Sequence, residues 1–181
     1  MISENVRVAI RPISMLLTFI WAGEFFSFGV YYFIANQAAS QAKPPLDSVD
    51  PMLPVIFCVM AGVSLFAGLG LKWFVFSQRR AQAFLCKQLS PIADKPQDET
   101  LAEKSLIILA KGSFQPYLMS LGLINTCIIF GMVLSVMQQD LNTFMPFLTG
   151  SVAGSIFCFP RVEPFVEASM QNWKQSFRHR T

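Results

Sequence analysis

The chain has 181 residues, 53% of them hydrophobic and only 14% charged, with 18 Phe against 14 basic and 11 acidic residues. A soluble domain carries roughly 25% charged residues, so the composition argues against one or two water-soluble domains and for an integral membrane protein with small polar connectors. The formal net charge of +3 follows from where the basic residues fall between the apolar runs and calls for no nucleic-acid partner.

A bilayer-crossing helix needs about 20 mostly apolar residues, because ~30 Å of hydrocarbon is crossed at 1.5 Å per residue. Backbone groups in lipid must be satisfied within the segment, so each crossing is expected to be helical. The first expected span covers 13–35 and holds one charge, Glu24, inside FIWAGEFFSFGV. The polar, proline-bearing connector 36–51 follows as a short external loop. The second span covers 52–76 and is uncharged up to Lys72.

Residues 78–115 are expected to form the main cytoplasmic loop. SQRRAQAFLCKQL should continue span two as an amphipathic helix, and SPIADKPQD should break it. Thr100 and Glu103 have capping-box spacing, so a helix should start there, with Leu101, Ala102, Ser105, Ile108 and Leu109 on its apolar face. Gly112 and Pro116 mark a bend into the third span, 117–137. A short turn, Gln138-Gln139-Asp140, leads to the fourth span, 141–159. The tail 161–181 is basic and amphipathic, with Val166, Met170, Trp173 and Phe177 at helical spacing. Leu101, Ile108, Trp173 and Phe177 are the residues expected to meet the membrane surface or a partner.

Orientation follows from Lys and Arg. Of the 14 basic residues, only Lys43 falls in the connector 36–51. All others lie in the N-terminal arm, at the loop-side end of span two (Lys72), in the central loop or in the tail, which puts both termini and that loop on the cytoplasmic side. Arg7 and Arg11 followed by an apolar run resemble a signal peptide. That run is about 23 residues, beyond the 7–15 of a typical signal core, so it reads as a retained span. The fold class is thus all-α: an integral membrane four-helix bundle in two hairpins, N-in and C-in, with amphipathic cytoplasmic segments. A bacterial inner-membrane location is expected with it.

Glu24 sits about eleven residues into span one. An ionised carboxylate at the bilayer centre costs at least ~2.5 kcal/mol, so it is expected to be protonated, paired or facing water. One reading makes it a neutral acid hydrogen-bonded across helices, to Asn125, Thr126 or Ser64; the other makes it, with Asn125, a proton or cation site. Small residues four apart let helix backbones approach closely. Ala61, Ser64 and Gly68 in span two, and Gly150 with Gly154 and Ser151 with Ser155 in span four, supply such faces for packing within the bundle or between protomers. Spans one and three each carry Phe-Gly-hydrophobe, at 28–30 and 130–132, as in a duplicated hairpin. The four cysteines are scattered singly and form no metal pattern. No catalytic motif, metal site or cofactor is expected.

NTCIIFGMVLSVMQQDLNTFMPFLTGSV, followed by Phe159-Pro160-Arg161, resembles the second hairpin of small, uncharacterised bacterial four-span inner-membrane proteins whose paired-hairpin layout is similar to the proteolipid subunits of rotary ATPases. The resemblance covers residues of about 80–162. It implies a carboxylate ahead of the Ile-Phe-Gly turn, where this chain has Asn125.

The expected function is therefore a non-enzymatic integral inner-membrane subunit that packs in, or scaffolds, a larger membrane complex, with the lipid bilayer and other membrane subunits as partners. The alternatives are an oligomeric, proteolipid-like proton or cation translocator using Glu24 and an accessory subunit of a membrane enzyme.

Overall fold

The computed structural model describes residues 3–41, 51–89 and 99–178. The connector 42–50 with Lys43, the breaker 90–98 and the end of the tail, 179–181, lie outside the described residues. So do the side chains of 88, 89, 99, 100 and 176–178, Phe177 among them. Seven α-helices follow one another: α1 (Glu4–Ser40), α2 (Met52–Val75), α3 (Gln78–Leu89), α4 (Glu99–Gly112), α5 (Phe114–Gln138), α6 (Leu141–Phe157) and α7 (Val162–Arg178). No strand occurs among the described residues.

Several boundaries depart from expectation. α1 runs well past 13–35 at both ends. Ser3 starts it, its hydroxyl accepting from the Val6 N–H at 3.4 Å, as an N-cap does. α2 does not continue through 78–89. It stops at Val75, and α3 begins with the Ser77 carbonyl accepting from the Ala81 N–H at 3.2 Å. The break is held by Phe76, whose ring meets Tyr117 and Phe165 edge-on, centroids 6.0 and 5.4 Å away. α4 begins at Glu99, one residue ahead of the expected cap at Thr100. The bend expected between Gly112 and Pro116 is a single turn at Ser113, whose N–H and hydroxyl both donate to the Leu109 carbonyl.

The chain divides into two compact units. The first comprises 1–19, 72–117 and 160–181. In it α3, α4 and α7 pack on one another. α3 buries Ala81 and Leu85, and α4 buries Ala102, Leu106, Leu109 and Ala110. α7 buries Val162, Phe165, Val166, Met170 and Trp173, an apolar stripe at helical spacing. Gln78 fastens the cluster. Its Oε1 accepts from Ser169 Oγ at 3.0 Å and Asn172 Nδ2 at 3.4 Å, while its Nε2 donates to the Phe165 carbonyl. Part of the surface assigned to a membrane face or partner is thus used inside this unit. Trp173 is buried, and Leu101 is half-buried. Ile108 alone of the expected α4 face is bare, at 55% exposure, because the buried stripe runs through Leu106 instead.

The second unit comprises 20–71 and 118–159, and contains most of α1, α2 and α5 and all of α6. One core cluster joins α1 to α5 and α6 through Phe28, Ala35, Ile128 and Phe144. The other joins α2 to α5 and α6 through Ala61, Cys127, Leu134 and Phe147. The α5–α6 hairpin closes where the sequence placed it. Asp140 caps α6, its Oδ1 accepting from the Asn142 N–H at 3.0 Å. Ser135 Oγ donates to the Asp140 carbonyl, and Thr143 Oγ1 donates to Gln138 Oε1 at 2.8 Å. Gln139 makes the turn in the left-handed region, with φ 51°.

Three helical stretches are long and apolar enough to cross a membrane: α1, α2 and Leu101–Gln138, which α4 and α5 form together. The fourth expected span is shorter than 141–159. α6 has 17 residues and reaches membrane length only when taken together with Val162–Gln175. It stops because the Cys158 N–H closes back on the Gly154 and Ser155 carbonyls and Pro160, lacking an N–H, cannot extend it.

Candidate functional site

Glu24 is 8% exposed, the most deeply buried charged residue among those described. Its Oε1 accepts from Ser155 Oγ at 3.3 Å, and its Oε2 is buried with no hydrogen-bond partner. Trp21, one turn earlier on α1, donates its indole N–H to the Ser155 carbonyl at 2.7 Å. That carbonyl lies in the last turn of α6 and also accepts from the Cys158 N–H at 3.1 Å, so the indole is its second donor. The Trp21 ring packs on Phe25 at 4.7 Å and edge-on to Phe159 at 5.0 Å. Glu24 therefore sits in an aromatic, water-poor corner where α1 meets the C-terminal end of α6.

The partner is neither Asn125, Thr126 nor Ser64. Thr126 turns back on its own helix and donates to the Gly122 carbonyl at 2.8 Å. Asn125 has its own buried, unpartnered Oδ1, and no hydrogen bond joins it to Glu24. Two buried oxygens, Glu24 Oε2 and Asn125 Oδ1, are thus left without a hydrogen-bond partner. Glu24 lies near the middle of α1 (Glu4–Ser40) and meets α6 in that helix's last turn.

Most of the small residues pack inside the second unit. A Cβ on Gly68 would meet the Ser120 carbonyl oxygen at 2.8 Å, and one on Gly154 would meet Leu65 at 2.7 Å. Gly150 faces Leu65 at ordinary contact distance, and Ala61 is buried. Ser151 Oγ donates to the Ile124 carbonyl at 3.3 Å, and Ser155 serves Glu24. Ser64 is half-buried. Ser120, which spacing did not single out, donates to the Gly68 carbonyl at 2.7 Å. Its signal was a lone hydroxyl in an apolar run opposite a small-residue face. Gly131 carries in the sequence only the Phe-Gly-hydrophobe repeat as its signal. A Cβ there would overlap the Phe147 ring, whereas Gly29, its counterpart, faces open space.

A groove of about 380 Å³ runs between α2, α5 and α6, lined by Pro54, Cys58, Leu65, Cys127, Pro146 and Phe147 among others. Among the described residues no three His, Cys, Asp or Glu side chains gather as metal ligands. The geometry is that of an all-helical protein with membrane-length apolar helices and one buried carboxylate. The chain matches no protein-family model, and no curated protein or solved structure is significantly similar to it.

Proposed function

We propose that the chain is a non-enzymatic integral membrane subunit whose second unit lies in the bilayer and whose outer helices dock other membrane subunits. The observation that carries this reading is where charge and apolar surface fall. Among the described residues the second unit contains no Lys or Arg and only two acids, Glu24 and Asp140. Meanwhile only 17% of the most apolar stretch of α1 and 11% of that of α2 is buried. Water would penalise so much bare apolar surface; lipid would not. The described basic residues all fall in the first unit, which supports an inner-face location for both ends.

Docking is supported by the spacing of the bare residues. Phe19, Phe26 and Phe33 on α1 are exposed and seven apart, and so are Met52, Val59, Phe66 and Trp73 on α2. A seven-residue repeat keeps one stripe against a neighbouring helix as the two supercoil. A second reading, ion translocation through Glu24, draws on its unpartnered Oε2. The test is purification of the intact protein in mild detergent with mass spectrometry of what accompanies it. The subunit reading expects a defined companion that is lost on Phe26→Ala with Phe33→Ala; a lone monomer would overturn it. Loss of proton or sodium coupling on Glu24→Gln would favour the second reading.

A further inference from the structure

We infer that the elbow between α2 and α3 binds the phosphate of an anionic phospholipid headgroup, with Arg80 as its principal ligand. This rests on the membrane reading above. The last turn of α2 carries Trp73, 80% exposed, and Phe74, also exposed. The chain then breaks at Ser77, and the first turn of α3 carries Arg79, exposed, and Arg80, half-buried.

The Arg80 guanidinium carbon lies 5.4 Å over the Phe74 ring. An aromatic face attracts a guanidinium and fixes its plane. One of its nitrogens, Nη1, is buried and has no hydrogen-bond partner. A buried N–H without an acceptor is costly, and a guanidinium is built to offer parallel N–H groups to the oxygens of one phosphate. The first turn of α3 adds backbone N–H groups that have no carbonyl within their own helix. The elbow is thus a fork of donors over an aromatic floor, still short of an acceptor.

The acceptor is a lipid headgroup because of what surrounds the fork. Trp73 and Phe74 are bare aromatics in the last turn of an apolar, membrane-length helix, the level at which aromatic side chains sit among headgroups. The basic residues cluster in this same unit, on the side expected to face the inner leaflet, where anionic lipids concentrate. A phosphate entering from the lipid side would meet the half-buried Arg80 that lies over Phe74, with its acyl chains along α2.

The experiment uses the full-length protein in detergent micelles, titrated with phosphatidylglycerol and phosphatidylcholine of identical chains and read by native mass spectrometry. The wild type is expected to bind one phosphatidylglycerol about tenfold more tightly than phosphatidylcholine, the scale of a charge-assisted hydrogen bond. Arg80→Gln should erase the preference. Arg80→Lys, which keeps the charge but loses the fork, should retain only part of it, and settles the matter if Arg80→Gln does not fold. Lys104→Gln, exposed on α4, should leave it intact. Equal binding of the two lipids, a preference that survives Arg80→Gln, or displacement of phosphatidylglycerol by millimolar inorganic phosphate would overturn the site. Flotation of vesicles after alkaline carbonate washing reports on membrane insertion separately. Protein lost from the vesicles overturns the membrane reading and the site with it, whereas protein that stays without lipid preference overturns the headgroup site alone.

Discussion

Ser155 Oγ reaches Glu24 Oε1 across 3.3 Å and 131 positions of sequence. The contact ties α1 to α6, and it is the carboxylate's one side-chain hydrogen bond, since Oε2 has no partner. Removing one partner of a buried pair leaves the other unsatisfied and costs about 1–3 kcal/mol, while replacing both with apolar groups of similar shape is close to neutral. Ser155→Ala should therefore lower stability by about that amount, and Glu24→Leu combined with Ser155→Ala should recover most of it. Thermal unfolding in detergent checks this. A double variant less stable than Ser155→Ala alone would show that the carboxylate contributes something besides this bond.

Gly131 and Gly29 occupy matching places in the two Phe-Gly-hydrophobe segments, but only Gly131 has a neighbour. Ala at 131 overlaps Phe147 and should cost about 1–3 kcal/mol, as overpacking does. Ala at 29 enters open space and should be neutral or up to about 1 kcal/mol stabilising, by the helix preference of Ala over Gly. Paired melting curves separate the two.

The α5–α6 turn combines an Asp cap with a non-glycine residue in the left-handed region. Asp140→Ala removes the oxygen that serves the Asn142 N–H and should cost about 1 kcal/mol. Gln139→Gly relieves the positive φ and should gain up to about 1 kcal/mol. Opposite shifts in melting temperature are the expected result; shifts of the same sign would contradict the turn described.

Cys58 and Cys86 are both exposed, one on α2 and one on α3. If lipid covers α2, a charged maleimide should modify Cys86 alone, in opened membranes and not in intact cells. A lipid-soluble maleimide should modify Cys58. Modification of Cys58 by the charged reagent in intact membranes would place α2 in water.

The apolar helices were legible because their run lengths and lack of charge leave few alternatives, and the α5–α6 turn because Asp140 is a strong cap in a polar gap. Less legible was anything set by a distant partner. Glu24 chose Ser155 over three nearer-seeming candidates, since the sequence carries no record of which helix faces meet. α2 stopped at Val75 because the Phe76 ring packs on Tyr117 and Phe165, contacts that local periodicity does not encode. On α4 the buried face runs through Leu106 and leaves Ile108 bare; both are apolar, and only the packing of α3 and α7 selects between them. Small-residue spacing did locate close approach at Gly68 and Gly154, where the physical requirement is local to the helix.

One consequence lies in the brevity of α6. Its 17 residues extend about 25 Å at 1.5 Å each, a few ångströms short of an average hydrocarbon slab of roughly 30 Å. A bilayer around it would have to thin locally, and such hydrophobic mismatch sorts proteins among membranes by thickness. Lipids with shorter tails should thus suit this protein better than longer ones.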